Sequence, residues 1–339
     1  MTSPPSPLPA TAQYDLAIVI PVWNLPRDLF TLLGQIADLG IASEVLICDD
    51  ASGPPCDPAT IGFDTSQLGP TRLRYLRAAH QQGAGHARNM GLDHVDAANV
   101  MFFDADDQLT DQLPVIIERH MRAGNARPDF TIFRHSDTRV RDQKGREGTF
   151  DGDEAQWDLA MGTDCARVLD RQQAAHLSTI SAYPWNKIYR TDFLRHNDIR
   201  CSETVVHNDI ALHWLGFVRA KNILALRNIG AVHVVGARDH HLTTRRGAER
   251  LCLAEILHDV TTGIRNSPHH TLFMRHYIQF VDTICRWNMN QIDPEIQERF
   301  KALAMHAYLD FTPEEFHFFA HWQPRRAHEI VAFLLNEGV

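Results

Sequence analysis

The sequence lacks the features of a membrane-spanning or disulfide-bonded protein. None of its uninterrupted apolar runs approaches the ~18 residues that a membrane-spanning helix needs, so we expect no such helix. Cysteine is sparse, at six in 339 residues, and no close pair has the spacing of a metal site. We therefore expect buried, reduced thiols and a cytoplasmic protein.

Positive charge is also in deficit. The chain carries 33 Lys and Arg against 42 Asp and Glu, a formal net charge of −9. Such an acidic chain binds nucleic acid poorly, so we expect no nucleic-acid partner. The 44% of hydrophobic and 22% of charged residues are typical of a folded globular protein and exclude a disordered chain or a coiled coil.

Strand and helix patterns alternate along the chain from Tyr14 onwards. Short apolar runs predict buried strands, and stretches with apolar residues three and four apart predict helices between them. This alternation is typical of an α/β domain with a mostly parallel central sheet and flanking helices. The predicted strands are 16–22, 44–48, 72–77, 99–103, 129–134, 222–226 and 231–235, and the predicted helices are 26–39, about 86–95, 111–122 with Thr110 as its cap, and 208–219.

Proline marks both ends of the chain. Residues 1–13 form a Pro/Ser-rich tail without the basic start and apolar stretch of a signal peptide, so we expect a disordered tail. From Leu242 the pattern is almost wholly helical, and four prolines divide it into four or five helices. The predicted organisation is therefore a tail, an α/β domain at 14–241 and a helical extension at 242–339.

Polar and glycine-rich segments follow the first four predicted strands. In a parallel sheet, ligands bind outside the carboxyl ends of the strands. Because these ends meet at one edge, we expect a site there. The segments are Pro21-Val22-Trp23-Asn24, Asp49-Asp50-Ala51-Ser52, Gly83–Gly91 and Asp104-Ala105-Asp106-Asp107.

The pair Asp104 and Asp106 carries the strongest chemical signal. On extended backbone, residues i and i+2 point the same way, so both carboxylates can face one hard cation such as magnesium or manganese. The alternative is a cluster of acids at a helix N-terminus, where Asp107 and Asp111 interact favourably with the helix dipole. The spacing alone leaves both interpretations open.

The remaining polar residues also have two interpretations each. Gly83-x-Gly85 can present amides to a phosphate or form a plain loop, and Arg88 can pair with a phosphate or lie in a surface salt bridge. Asp49-Asp50 can bind a base or ribose or form an Asx turn, and Trp23 can stack on a base or lie in the core. Asp209 can act as a general base or as an ordinary acid at a helix start.

Taken in order, these segments resemble the inverting glycosyltransferases of family 2, whose nucleotide-sugar-binding fold is called GT-A. The resemblance covers roughly residues 15–245 and becomes specific through the order of its segments. It rests on Ala17–Asn24, Asp49–Ser52, Gly85-His86-Ala87-Arg88-Asn89-Met90-Gly91, Phe102–Asp107, Trp185-Asn186-Lys187-Ile188-Tyr189-Arg190 and Asn208-Asp209.

The resemblance implies roles for individual residues. Asp49 would contact the nucleotide base, with Arg88 beside it. Asp104 would hold the ribose or help to bind the metal, and Asp106 would ligate the metal. Asp209 would take a proton from the acceptor hydroxyl. The implied donor-binding set also contains Pro21, Trp23, Asn24, Trp185, Asn186, Lys187 and Arg238.

Residues 231–244 correspond to a segment that often closes over the diphosphate in this family. Arg238 is therefore implied as a phosphate contact. His233, His240 and His241 are candidates for a third metal ligand. A solvated loop is the alternative interpretation of this segment.

The resemblance further implies a manganese or magnesium cofactor and a nucleoside diphosphate sugar donor, most often UDP-linked. Residues 14–125 would bind this donor, and 126–241 would form the acceptor side. A hexosyl or N-acetylhexosaminyl group would pass to a glycan, a capsule or exopolysaccharide chain, or a lipid-linked acceptor. Peripheral association with the inner face of the cell membrane and a homo-oligomer stay open.

The sequence also bears on two other functions. A nicotinamide-dependent oxidoreductase needs Gly-x-Gly-x-x-Gly directly after the first strand, where this chain has Pro21-Val22-Trp23-Asn24. A catalytically degenerate scaffold of the same fold is the stronger alternative, because Asn208 stands where the family usually has Glu. The intact Asp104, Asp106 and Asp209 argue against it.

Overall fold

The computed structural model describes residues 14–122, 127–235 and 245–335, so the predicted tail at 1–13 lies outside the described residues. The strands β1 to β9 are Leu16–Val22, Glu44–Asp49, Arg72–Arg77, Asn99–Phe102, Gln108–Leu109, Phe130–Asp137, Ala166–Val168, Lys187–Arg190 and Ile223–His233. The helices α1 to α14 are Pro26–Leu39, Pro58–Ile61, Ala84–His94, Leu113–Met121, Thr138–Lys144, Asp151–Met161, Arg171–Leu177, Thr191–His196, Ile210–Arg219, Leu253–Arg265, His270–Met289, Pro294–Leu309, Pro313–Trp322 and Pro324–Leu334.

The first half of the central sheet is parallel. Strands β3, β2, β1 and β4 lie side by side in that order, and every pairing among them is parallel. Every residue of β1 and β2 is buried, as expected for strands covered on both faces. Helix α1 ends at Gly40, whose φ of 59° is the left-handed conformation that favours glycine. The predicted α/β class with flanking helices is confirmed.

The second half of the sheet is mixed. Strand β8 is antiparallel to both β4 and β6, and β6 is parallel to β9. The short strands β5 and β7 pair antiparallel with β9. As a result, the amino end of β8 and the carboxyl ends of β6 and β9 lie at the same edge as the carboxyl ends of β1, β2 and β4.

Two predicted strands are one continuous strand. The strands predicted at 222–226 and 231–235 were wrong as separate elements, because β9 runs unbroken from Ile223 to His233. The polar pair Arg227-Asn228 interrupts the apolar pattern of the sequence. The backbone continues through it because the register with β6 shifts on both sides of Arg134.

The predicted cap of α4 was also wrong. This helix begins at Leu113, and its N-cap, Gln112, makes no side-chain capping bond. The Thr110 hydroxyl instead donates to the carbonyl of Ile229 at 2.5 Å. Residues 108–109 pair with β9, which holds Thr110 against that strand and delays the helix.

The described part of the C-terminal helical region, residues 245–335, contains the five α-helices α10 to α14. Pro294, Pro313 and Pro324 each stand in the first turn of a helix, where the N–H that proline lacks would have no intrahelical partner. These helices share an apolar core with the sheet, since the ring of Trp214 in α9 lies 4.9 Å from that of Tyr277 in α11. Across the described ranges, no helix is long and apolar enough to cross a membrane.

The six cysteines are all unpaired. Four of them are buried, as predicted. Cys252 is partly exposed, and Cys165 is exposed, so the expectation of a buried thiol was wrong at Cys165. Cys165 directly precedes the short edge strand β7, which covers little of the surface around it.

Candidate active site

The loops after β1 and β2 are tied together at the carboxyl edge of the sheet. The amide of Asn24 donates to the Ser52 hydroxyl at 2.9 Å, and the Asn24 side-chain oxygen accepts from the amide of Gly53 at 2.8 Å. Pro21 is buried inside β1, whereas Trp23 is half-buried and Asn24 is exposed. Of the predicted donor-binding residues in this segment, Trp23 and Asn24 therefore reach the surface of the site.

The carboxylate of Asp49 is enclosed by hydrogen-bond donors. It accepts from the amides of Ser52 (2.7 Å) and Cys56 (2.9 Å), the Tyr75 hydroxyl (2.6 Å) and the Arg77 guanidinium (2.9 Å). Burial alone would raise the pKa of Asp49, but these hydrogen bonds hold it below its usual value. Asp49 is 0% exposed, so it shapes the loop after β2 and is not placed to touch a base directly.

Asp50 fixes the glycine-rich loop that precedes α3. Its two carboxylate oxygens accept from the amides of Gln82 (2.8 Å) and Gly83 (2.7 Å). The amide of Gly83, which the sequence allowed as a phosphate ligand, is therefore already bonded to a carboxylate. The plain-loop interpretation holds for Gly83, whose φ of 97° starts the turn into the helix.

Two glycines of the Gly85–Gly91 segment permit close packing of α3. A Cβ at Gly91 would lie 2.3 Å from a methyl group of Val19 and 2.8 Å from the Cys48 sulfur. A Cβ at Gly85 would lie 2.0 Å from the carbonyl oxygen of Ser202. Gly91 thus lets the helix lie directly on the sheet, and Gly85 lets the segment leading to α9 cross close to its first turn.

Arg88 connects two separate parts of the site. Its guanidinium donates to Asp104 at 2.5 Å and to the Asn208 side-chain oxygen at 2.6 Å. Burial would lower the pKa of Arg88, but the carboxylate of Asp104 outweighs it and raises the pKa above its usual value. Arg88 is 4% exposed, so a surface salt bridge was the wrong alternative.

The acidic segment after β4 forms a turn. The amide of Asp107 donates to the carbonyl of Asp104 at 3.2 Å, and the next helix starts only at Leu113, so these acids do not form a helix N-terminus. Asp104 and Asp106 are partly exposed. Asp107 is buried, accepts from the amide of Val234 at 2.9 Å, and has its pKa raised by burial and by the two neighbouring acids.

Asp209 stands at the first position before α9. Its side chain does not cap this helix, although its type would allow it. Burial raises the pKa of Asp209 to about 6, against the opposing effect of the Arg88 guanidinium. Asp104 also raises this pKa and Lys187 lowers it, so these three charged groups lie within electrostatic range of Asp209.

The predicted donor-binding segment Trp185-Asn186-Lys187 is buried at the amino end of β8. All three residues are at most 1% exposed. The Lys187 ammonium donates to the Tyr183 carbonyl at 2.6 Å and to the Asn186 side-chain oxygen at 2.7 Å. Burial lowers the pKa of Lys187 to about 7. These residues underlie the site and offer no surface to a ligand in this structure.

Asp137 is a site-edge residue that the sequence reasoning missed. It ends β6, accepts from the Arg139 guanidinium at 2.6 and 3.0 Å, and lies 3.2 Å from the ring of His233. Burial would raise its pKa, but His233 and Arg139 hold it well below the usual value. A carboxylate three residues after the apolar run 129–134 was the available signal, since Asp137 ends β6 as Asp49 ends β2.

Among the histidines and the arginine predicted between 231 and 244, only His233 belongs to the described residues. Its ring pairs with Asp137 and packs on Tyr183, with the ring centroids 4.9 Å apart. His240, His241 and Arg238 lie outside the described residues.

Asp104 and Asp106 fit a divalent cation by their chemistry. Both present partly exposed carboxylates, which are the oxygen donors that magnesium and manganese prefer. Within the described part of the chain, no group of three or more His, Cys, Asp or Glu is placed to hold a metal ion. The other ligands of such a cation would come from substrate phosphates or water, as is usual for magnesium.

In a comparison with protein-family models, residues 17–177 match the model of the family described as glycosyl transferase family 2. This range contains the loops after β1, β2 and β4 and the helix that carries Arg88. A comparison with curated protein sequences finds no significant match.

Several solved structures share the fold. Residues 1–349 of S. aureus TarS superpose with a TM-score of 0.70 at 16% identity, over 95% of this chain and 88% of that one. The same protein in complex with UDP-GlcNAc gives a TM-score of 0.71 at 16% identity. The mannosyltransferase PcManGT from Pyrobaculum calidifontis, in complex with GDP-Man and Mn2+, gives 0.55 at 13% identity, over 98% of this chain and 88% of that one. At these identities the likeness shows the fold alone, and the predicted GT-A fold is confirmed.

Proposed function

We propose that the chain is a glycosyltransferase that moves a sugar from a UDP-sugar to an acceptor hydroxyl with inversion at the anomeric carbon. The match of residues 17–177 to the glycosyl transferase family 2 model supports this proposal. The acceptor is a glycan, a polysaccharide or a lipid-linked saccharide. The transferred group is a hexosyl or N-acetylhexosaminyl unit. TarS, which has the same fold, is known in complex with UDP-GlcNAc, and this supports the choice of UDP.

The observation that carries the proposal is the position of Arg88. It donates to Asp104 on the turn after β4 that carries Asp104 and Asp106, called the D-x-D turn below, and to Asn208, the neighbour of Asp209. One buried side chain thereby holds the two carboxylate-bearing segments at a fixed separation. A reaction between a donor at one segment and a hydroxyl at the other needs such a fixed geometry.

Asp209 serves as the general base in this proposal. Its carboxylate accepts the proton of the acceptor hydroxyl while the hydroxyl oxygen forms a bond to the anomeric carbon. The bond from that carbon to the diphosphate oxygen breaks in the same displacement, and UDP leaves. A pKa of about 6 keeps most of Asp209 ionised at neutral pH and still lets it hold a proton better than an ordinary aspartate.

Asp104 and Asp106 would hold a manganese or magnesium ion. That ion supplies Lewis acidity toward the departing diphosphate. Trp23 and Asn24 line the nucleotide side of the site in this proposal. Asp49 and Asp50 shape that side from beneath, through the loops that they hold.

Each region of the chain has a separate role in the proposed reaction. Residues 14–125 bind the donor, because the loops after β1, β2 and β4 all belong to this part. Residues 126–241 form the acceptor side, because they contain Asp209 and the strands that border it. The helical region 242–339 supports the acceptor side.

A thermal-shift experiment tests the donor and the metal together. UDP, GDP, CDP and dTDP are each added with and without manganese to the wild type, to Asp106→Asn and to a control, Asp111→Asn. Asp111 is an exposed acid that follows the D-x-D turn. We expect UDP to stabilise the wild type and the control only with manganese, in proportion to occupancy, and not to stabilise Asp106→Asn.

Three outcomes would contradict the proposal. A manganese-dependent shift with another nucleotide, and none with UDP, would mean that the donor sugar is linked to that nucleotide. An equal shift in Asp106→Asn would remove Asp106 from the metal site. Binding of UDP without any turnover on water or saccharides would favour the degenerate scaffold.

A further inference from the structure

The backbone turn that presents Asp209 contains an uncommon conformation. His207, two residues earlier, has a φ of 61°, in the left-handed region that non-glycine residues seldom adopt. Because the side chain of Asp209 does not cap α9, the direction of its carboxylate depends on this turn. A turn of this kind persists only when neighbouring groups hold it.

The neighbouring group is on the C-terminal helices. The Nε2 atom of His207 lies 3.0 Å from the side-chain oxygen of Asn288 in α11. The same oxygen accepts from the Arg250 guanidinium at 2.6 Å, and the Asn288 amide donates to the carbonyl of Ile284 at 2.8 Å. Asn288 is 0% exposed and Arg250 is 1% exposed, so both are shielded from water, and His207 is half-buried.

The chemistry of these groups allows one arrangement. Arginine can only donate, so the Asn288 atom facing it must be the oxygen. His207 must then donate its Nε2–H to that oxygen. Burial lowers the pKa of His207 to about 4, so the ring is neutral at pH 7 and carries its one N–H on Nε2. Asn288 is thereby fixed in orientation and fixes His207 in turn.

Arg250 is itself held in place. Its Nε donates to the carbonyl of Arg245 at 2.6 Å, and its guanidinium lies 4.8 Å from the ring centroid of Trp287. A second tie runs beside it, since the Cys252 thiol donates to the carbonyl of Val206 at 3.4 Å. The turn at 206–209 is therefore attached to the helical region at two points.

We propose that Asn288 is a positioning residue for the transfer reaction, which acts by holding His207 and so fixing the turn that presents Asp209. The proposal rests on the function proposed above. It assigns the helical region a part in catalysis through Asn288.

The test compares two substitutions at one position. Asn288→Leu removes both acceptor bonds. Asn288→Asp keeps oxygens for His207 and Arg250, loses the donation to Ile284 and adds a negative charge beside the Arg250 guanidinium. Both variants are expected to be less stable than the wild type. Release of UDP from UDP-GlcNAc with water as the acceptor is measured for each, together with the affinity for UDP by calorimetry.

We expect kcat of Asn288→Leu to fall by about tenfold to a hundredfold, because a small misplacement of a reacting group has effects of that size. Its KM for UDP-GlcNAc and its affinity for UDP should stay unchanged. Asn288→Asp should keep most of its turnover. Equal losses in both variants, or unchanged turnover in Asn288→Leu, would overturn the proposal.

A matched control separates positioning from loss of stability. Asn99 accepts from the ring of His120 at 2.9 Å, in a similar Asn–His pair at the amino end of β4. Asn99→Leu should destabilise the fold and leave kcat unchanged, and a matching fall in its kcat would also overturn the proposal.

If the wild type turns over no nucleotide sugar, the proposed function fails by itself. The positioning is then judged from crystal structures. A displaced Asp209 in Asn288→Leu would support it, and an unmoved Asp209 would overturn it.

Discussion

Replacing Asp209 with asparagine should lower turnover by about 10²- to 10⁴-fold and stabilise the folded protein at neutral pH. Burial raises the pKa of Asp209 from an ordinary value of 3.8 to about 6. A difference of about two pKa units corresponds to about 3 kcal/mol, as an upper bound, by which the folded state disfavours the ionised carboxylate. Asparagine removes this charge, and with it the desolvation penalty.

The pH dependence of this gain follows from the direction of the shift. A raised pKa means that the folded state binds the proton more tightly than the unfolded chain does. The wild type therefore has almost no penalty below about pH 4. The penalty grows as the pH rises from about 4 to about 6, and it is constant at higher pH. Urea unfolding should show Asp209→Asn more stable by up to about 3 kcal/mol at neutral pH, and nearly equal to the wild type near pH 4.

The rate of UDP release from UDP-GlcNAc measures the same group in function. The rate of the wild type should fall about tenfold per pH unit below pH 6, as the base becomes protonated. Asp209→Asn should lose about 10²- to 10⁴-fold, the usual contribution of a general base. Asp153→Asn is the matched control, because burial also raises the pKa of Asp153 to about 6, but its carboxylate accepts from the amide of Ser181. The rate of this variant should still fall about tenfold per pH unit below pH 6, a fall called the acid limb below.

Two results would refute this reasoning. A less stable Asp209→Asn at neutral pH would mean that Arg88 and Lys187 favour the ionised carboxylate more than burial disfavours it. An acid limb near pH 6 that persists in the residual activity of Asp209→Asn would belong to another group.

Three further predictions concern the surroundings of the site. Gly91→Ala should destabilise the protein by about 1–3 kcal/mol, since its Cβ would lie 2.3 Å from a methyl group of Val19. Thermal unfolding measures this loss, and the protein that remains folded should still bind UDP. Tyr75→Phe removes the 2.6 Å hydrogen bond to Asp49 and should lower the free energy of unfolding by about 1–3 kcal/mol at neutral pH, as for other hydrogen bonds to charged groups. The loss should be smaller at a pH low enough to protonate Asp49. Equal losses at both pH values in urea unfolding would contradict this prediction. Removal of divalent cations with EDTA should abolish stabilisation by UDP, and added manganese should restore it; stabilisation that survives EDTA would count against the metal.

The parallel half of the fold was predictable because its signals are local. The apolar runs at 16–22 and 44–48 can only be strands buried on both faces, and Pro26 and Gly40 mark the helix between them. The polar segments that follow these strands then had to meet at one edge. The sequence alone does not explain why glycine stands at both ends of the Gly85–Gly91 segment. The fold explains it, because Val19 and Ser202 lie too close to these positions for a Cβ atom.

The mixed half of the sheet and the exposure of the site residues depend on contacts between residues that are distant in the sequence. The antiparallel pairing of β8 with β4 and β6 buries Trp185, Asn186 and Lys187, and the sequence had predicted these as ligand contacts. The side chain of Asp49 is likewise enclosed by Tyr75 and Arg77 from the next strand. Because motif spacing carries no information on exposure, it cannot separate a residue that lines a site from one that supports it.

For the same reason, the proposed role of the helical region could not be predicted from the sequence. Nothing in the sequence around Asn288 differs from an ordinary helix, and its partner His207 lies 81 positions away. The Asn–His contact appears only when α11 is packed on the segment before α9.

The anomeric configuration of the released sugar tests the central claim most directly. The wild type is incubated with UDP-GlcNAc, whose sugar is α-linked, and early hydrolysis is followed by proton NMR before the anomers interconvert. A base placed on the face opposite the diphosphate predicts β-GlcNAc as the first product, and Asp209→Asn should release it at least about 10²-fold more slowly. If the first product is α-GlcNAc, the sugar is transferred with retention, and Asp209 is not the base of a single displacement.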